Sequence, residues 1–154
     1  MRVARKRALS LSVILTLFVF TGIGAERLAK TSDAMRGDAI ANHIAMLRAG
    51  KPQQKAAAAY WLGQQHTAAA DAVNPLVELL GDATLINPAQ YRSSRVLQKL
   101  TVGEEAAAAL VNIGHPSIEP LIRVLKTSPM PEARKNAAWA LGALHDSGAT
   151  SAEI

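Results

Sequence analysis

The chain has 154 residues, no cysteine, few aromatics and a formal charge of +5. Its length favours one domain, and the missing cysteine excludes thiolate metal sites, cysteine nucleophiles and a lipid-modified cysteine. Arg2, Arg5, Lys6 and Arg7 precede residue 8, and the other basic residues nearly balance the 12 acidic ones, so counterion-release binding to nucleic acid has little to work with. Abundant alanine with so few aromatics points to an all-α protein built from closely packed helices.

Residues 1–25 have the layout of a secretory signal. A basic segment ends at Arg7, an apolar run extends from Ala8 to Phe20, and small residues follow to Ala25. Basic residues hold the N-terminus on the cytoplasmic side while the apolar run enters the membrane. Cleavage is expected after Ala25, with Gly24 as the alternative. The rival is an uncleaved anchor, because Ala8 to Ala25 approaches the minimum length for a span. Residues 26–37 read as a polar tether.

From Asp33 to Ala49, Ile40, Ile44 and Leu47 recur at helical spacing, with Gly50 expected to close the helix in a left-handed conformation. Pro52 suits the first position of the next helix, which runs to about Gln65. Asp71 is the expected N-cap of a helix carrying Pro75, Leu76, Leu79 and Leu80. Thr101 and Glu104 have capping-box spacing at the start of another helix. Ile118 to Lys126 and a helix from Pro131 follow.

A phrase repeats along this series: Lys55-Ala-Ala-Ala-Ala-Tyr-Trp-Leu-Gly63, Glu105-Ala-Ala-Ala-Ala-Leu-Val-Asn-Ile-Gly114 and Arg134-Lys-Asn-Ala-Ala-Trp-Ala-Leu-Gly142. The first two copies precede Asn74-Pro-Leu-Val-Glu-Leu-Leu80 and Glu119-Pro-Leu-Ile-Arg-Val-Leu125. The interval from Gly63 to Gly114 is much longer than that from Gly114 to Gly142, so about 20 residues are inserted into the repeat. Pro88 to Leu100 is expected to form an added amphipathic helix there, with Arg92, Arg95 and Lys99 as a basic stripe.

This recurrence resembles the HEAT-like repeats of the short, phycobilisome-lyase type. The resemblance covers residues 38–154 and implies a short right-handed α-solenoid of helix pairs, each burying its apolar face against the next. Such proteins are mostly binding scaffolds, with some enzymes and chaperone-like lyases. The position two before the closing glycine is usually small and buried in the family, and here it is Trp61, Asn112 and Ala140. The position three before is usually polar, and here it is Tyr60, Val111 and Trp139. Tyr60, Trp61 and Trp139 either form an aromatic contact surface or fill gaps around the insertion and the solenoid end. The second reading is favoured, because such side chains are commonly buried.

The residues that HEAT-like hydroxylases use to hold iron are absent, since no His-Glu pair occurs and Ala56 and Ala107 stand where such a histidine would be expected. His66 and His145 share a register but belong to repeats too distant for one metal. Neighbouring Glu104 and Glu105 diverge around a helix and do not form a catalytic pair. The expected function is therefore an exported protein-binding scaffold or adaptor without catalysis, cofactor or metal, located in the periplasm or outside the cell. Its candidate contacts are Tyr60, Trp139, Arg92, Arg95 and Lys99, and its partner is another protein rather than nucleic acid. The alternatives are an accessory subunit of a lyase or other enzyme, and a membrane-anchored form in which residues 1–25 are retained and the repeats lie outside the cytoplasm.

Overall fold

The computed structural model describes residues 11–92 and 99–148, with side chains from residue 29. The chain divides into two compact units, 1–38 and 39–154. Helix α1 (Leu11–Ala49) contributes to both. In the first unit residues 29–38 are exposed, and Asp33 and Arg36 form a surface pair at 3.6 Å. Residues 26–37, expected as a tether, are helical instead. They contain no proline, and Arg27, Leu28, Ala29, Lys30, Ala34, Met35 and Arg36 are all good helix formers. The expected signal or anchor at 1–25 lies outside the residues whose side chains are described. Among the described residues no helix is long and apolar enough to cross a membrane.

The second unit is an all-α stack of paired helices. The last turns of α1 bury Ile40 and Leu47. Gly50 does not enter the left-handed region, since only Gly114 and Gly148 do so among the described glycines. Gly50 matters through closeness: a Cβ there would lie 2.5 Å from the Met46 carbonyl oxygen. Helix α2 (Pro52–Gly63) begins on its proline, and Gln54 Oε1 accepts a bond from the Lys51 amide at 2.9 Å.

A 3-10 helix, His66–Ala72, occupies the expected loop and absorbs Asp71, so α3 (Val73–Glu78) starts without a side-chain cap. Helix α4 (Val102–Ile113) has the anticipated capping box: Glu104 N donates to Thr101 Oγ1 at 3.1 Å and Thr101 N to Glu104 Oε2 at 2.8 Å. A short 3-10 turn, His115–Ser117, leads into α5 (Ile118–Thr127). Helix α6 (Pro131–Asp146) runs straight through Gly142, which therefore does not close it.

Helices α2, α4 and α6 lie side by side in one layer, while α3 and α5 pair with each other and back α4 and α6. Alanines at 56, 58, 59, 106, 107 and 109 are buried in the first layer. Their small size brings backbones together: a Cβ on Gly63 would stand 3.0 Å from the Ala109 Cα. The two layers share a core that includes Leu62, Leu76, Leu80, Leu110, Ile113, Leu121 and Leu144.

The insertion departs from expectation. Its base is closed by an antiparallel ladder of β1 (Leu85–Ile86) and β2 (Leu100–Thr101), pairing Leu85 with Thr101 and Ile86 with Leu100. Where an amphipathic helix was expected over 88–100, Pro88–Gln90 is a 3-10 turn, Tyr91 and Arg92 are non-helical and Leu100 is extended. Asn87 sets this course, its Oδ1 accepting from Ala89 N at 3.1 Å in a local turn that competes with a helix. Residues 93–98, including Arg95, lie outside the described residues.

A Cβ at Gly103 would meet the Leu80 carbonyl oxygen at 2.6 Å, where Asn136 Nδ2 also donates to that oxygen at 2.8 Å. Replacing Gly103 by alanine is expected to lower unfolding free energy by about 2 kcal/mol, as overpacking does. Thr101→Ala, which removes only one half of a cap, is expected to cost about 1 kcal/mol. Urea denaturation of both variants checks the order.

Candidate partner-binding site

The first, described part of the insertion is tied to α2 and α4 by specific bonds. Gln53 Nε2 donates to the Asn87 carbonyl at 2.8 Å, and Asn87 N donates to Gln53 Oε1 at 3.1 Å. This anchors the strand end and aims the next residues at α4. There Glu105, only 1 % exposed, sits among alanines. Its Oε2 accepts from the Tyr91 hydroxyl at 2.8 Å and its Oε1 from Arg92 Nη2 at 2.6 Å. The guanidinium lies 5.0 Å above the Tyr60 ring, and the Tyr60 and Tyr91 rings meet at 5.7 Å, tilted by 50°.

Burial, then the bond to and charge of Glu105, push the Tyr91 phenol well above the ordinary tyrosine range, although Arg92 pulls the other way. Burial opposes the charge of Arg92, but the Glu105 bond and charge outweigh it and raise the guanidinium further. The result is a fixed cation–carboxylate–phenol group whose members hold one another in place.

Beyond Arg92 the outer surface opens into a cleft of about 390 Å³ between α4 and α6. Arg92 and Leu100 form its wall, Glu104 and Ala108 come from α4, and Lys135, Asn136 and Trp139 from α6. Trp139 is 56 % exposed. Three polar side chains of this cleft have protein partners: Glu104 caps α4, Asn136 is tied to Leu80 and Lys135 is paired with Glu132, while the buried Arg92 Nε has none. A second, shallower hollow of about 420 Å³ lies over His43, Met46, Tyr60, Trp61 and Tyr91. In it the His43 and Trp61 rings stack at 4.0 Å and 9°.

The expected contact residues therefore separate. Trp139 is open to solvent and lines the cleft, whereas Tyr60 is half-buried beneath Arg92. Arg92 is not part of a solvated stripe, because the buried carboxylate draws it inward. Lys99 is exposed, and no described helix aligns it with Arg92. Trp61 stacks on His43 of α1, whereas the equivalent Asn112 is exposed and Ala140 is buried. Tyr91, Glu105 and Lys135 were not singled out from the sequence. The available signal for Glu105 was its place at the head of an alanine run, since the alanines mark a surface of close packing. Among the described residues no group of three or more histidine, aspartate or glutamate side chains is placed to hold a metal. His66 instead lies 3.1 Å from the Asn112 carbonyl oxygen through Nδ1.

The family model of the PBS lyase HEAT-like repeat matches residues 54–82 and 102–127. These stretches take in nearly all of α2–α3 and the whole of α4–α5, each with one helix from either layer. No curated protein and no solved structure matches the chain.

Glu105→Ala strands the Arg92 charge and the Tyr91 hydroxyl, and is expected to cost about 3 kcal/mol. Replacing Arg92 by Met and Glu105 by Leu together should cost less than the sum of the single changes, since the two share one interaction. Tyr91 also sets a pH response. Its raised folded value leaves stability intact below the unfolded value near 10 and removes it as pH climbs beyond, because only the unfolded chain then releases the proton. In a Tyr60→Phe background, the one remaining tyrosine should ionise well above pH 10 when folded and near 10 in urea.

Proposed function

We propose that this chain is an exported helical-repeat scaffold that binds a partner protein through the cleft between α4 and α6. The carrying observation is Trp139, an exposed indole beside an apolar cleft whose charged rim is already internally paired. Exposed aromatics next to a pocket are the groups that dominate protein interfaces. A cleft lined by Leu100, Ala108 and Trp139 gains by taking an apolar side chain out of water. The fixed position of Arg92 adds to this, because a wall that needs no ordering on binding loses little entropy. The basic and apolar layout of residues 1–25 supports export, and the helix-pair match supports a passive mechanism of surface presentation.

The cleft volume also falls within the range of small-molecule sites. That favours, as a second reading, an accessory subunit that holds a small ligand for an enzyme. Engagement of Arg92 by Glu105, of Glu104 by its cap and of Lys135 by Glu132 leaves no recognisable acid–base pair there, so protein contact is the better reading.

A photo-crosslinking side chain at position 139 is expected to capture a discrete protein in the exported fraction of the native host. With that partner purified, Trp139→Ala should weaken binding by about tenfold or more. An unchanged affinity would reject the cleft as the contact. Co-purification of a small molecule that Trp139→Ala releases would establish the accessory reading instead. For export, the mature protein should begin near Glu26 and fractionate outside the cytoplasm; a full-length product in the membrane would establish the anchored form.

A further inference from the structure

The three copies of the repeated phrase end in different surroundings, and the third carries an inference. In the first copy Ala59 and Gly63 are buried, with the Gly63 Cβ position 3.0 Å from Ala109 of α4. The equivalent residues of the third copy, Ala138 and Gly142, are exposed, and nothing lies within 4 Å of the Gly142 Cβ position. Helix α6 thus presents the surface on which α4 packs in the first pair, and no helix covers it among the described residues. The opposite end of the same layer is occupied: the last turns of α1 bury Ile40 and Leu47, and His43 stacks on Trp61 of α2.

We propose that the outer surface of α6 binds α6 of a second copy of this chain, forming a two-fold dimer that continues the α2–α4–α6 layer. Because α1 closes the other end, head-to-tail addition is blocked and the same surface must serve both copies. This is the isologous arrangement of a two-fold interface. Small residues four apart let two helices approach at the short end of the usual spacing. Charge agrees with an antiparallel pairing in which Ala138 of one copy faces Gly142 of the other. Arg134 and Lys135 then lie beside Asp146 of the second copy, so each end of the contact joins a basic to an acidic group. Lys135 is paired in its own chain with the exposed Glu132 and also feels the charge of Glu104, and Asp146 is 87 % exposed beside His145. Arg134 donates to the Ser128 carbonyl at 2.8 Å through one of its nitrogens, which leaves the others to reach across.

Sedimentation equilibrium of the full chain tests this. The expected result is a dimer at roughly 10 to 100 µM, the range in which modest interfaces are populated by mass action. Gly142→Arg, which has open space in the single copy, should raise the dissociation constant by about 100-fold, since it places unpaired charge at the centre of the contact. At concentrations too low for the parent to dimerise, its helicity and melting temperature should match those of the parent. Lys135→Asp should weaken the dimer, and adding Asp146→Lys should restore it, because the reversed pair meets across the two-fold. A parent that stays monomeric throughout overturns the proposal, whether the surface is covered by residues 149–154 or by another protein's helix. So does a dimer that neither Gly142→Arg nor Lys135→Asp weakens, since it must form elsewhere.

Discussion

A carboxylate buried in an alanine layer dictates much of the architecture around it. Glu105 is almost fully enclosed in α4, where an unpaired charge is costly and removing one partner of such a pair is strongly destabilising. Its partners both come from the insertion: Arg92 supplies a cation and the Tyr91 hydroxyl a hydrogen bond. The insertion is therefore fixed to the repeat by an electrostatic demand at α4, and its hydrogen bonds to Gln53 set the angle of arrival. The consequence is spatial. By reaching down to Glu105, Arg92 ends over Tyr60 and becomes the wall of the neighbouring cleft, so a requirement of folding shapes the proposed contact surface.

Small residues determine the rest of the layer, and identical letters have different physical roles in it. Gly63 permits contact with Ala109, Gly114 adopts a φ of 88° to turn the chain into the next helix, and Gly142 passes unnoticed through the middle of α6. The same holds for the position two before these glycines. Trp61 stacks on His43 because α1, rather than another alanine-rich helix, lies on that side of α2. Ala140 is buried where α6 packs on α4. A repeat unit carries one pattern, and its neighbours decide which residues of that pattern are enclosed.

This explains what was legible in the sequence. Helix pairs, the Thr101–Glu104 cap, the burial of Ile40 and Leu47 and the place of the insertion follow from periodicity and local bonding, which act over a few residues. The helical form of 26–37 is less legible, because its polar composition hides a run of good helix formers. Within the insertion, periodicity suggested a helix at Pro88 to Leu100, while the described ends of that segment obey long-range partners: Gln53 takes Asn87, Thr101 pairs with Leu85, and Glu105 takes Arg92. No local pattern encodes those contacts. The basic stripe was lost for the same reason, since an arginine counted as solvent-facing on a helix wheel is worth more beside a buried carboxylate.

Trp139 was legible as a departure from the repeat, but its role depended on geometry. At the equivalent place in α2, Tyr60 lies beneath Arg92 and packs on Tyr91, so the insertion covers the aromatic. In α6 Trp139 stays open, lining the cleft whose wall includes Arg92 and Leu100. A shared position in the repeat gives one aromatic a cover of Arg92 and Tyr91 and leaves the other exposed. Binding at the cleft would extend that cover to α6, placing a partner's apolar side chain over Trp139 as the chain's own Tyr91 is placed against Tyr60.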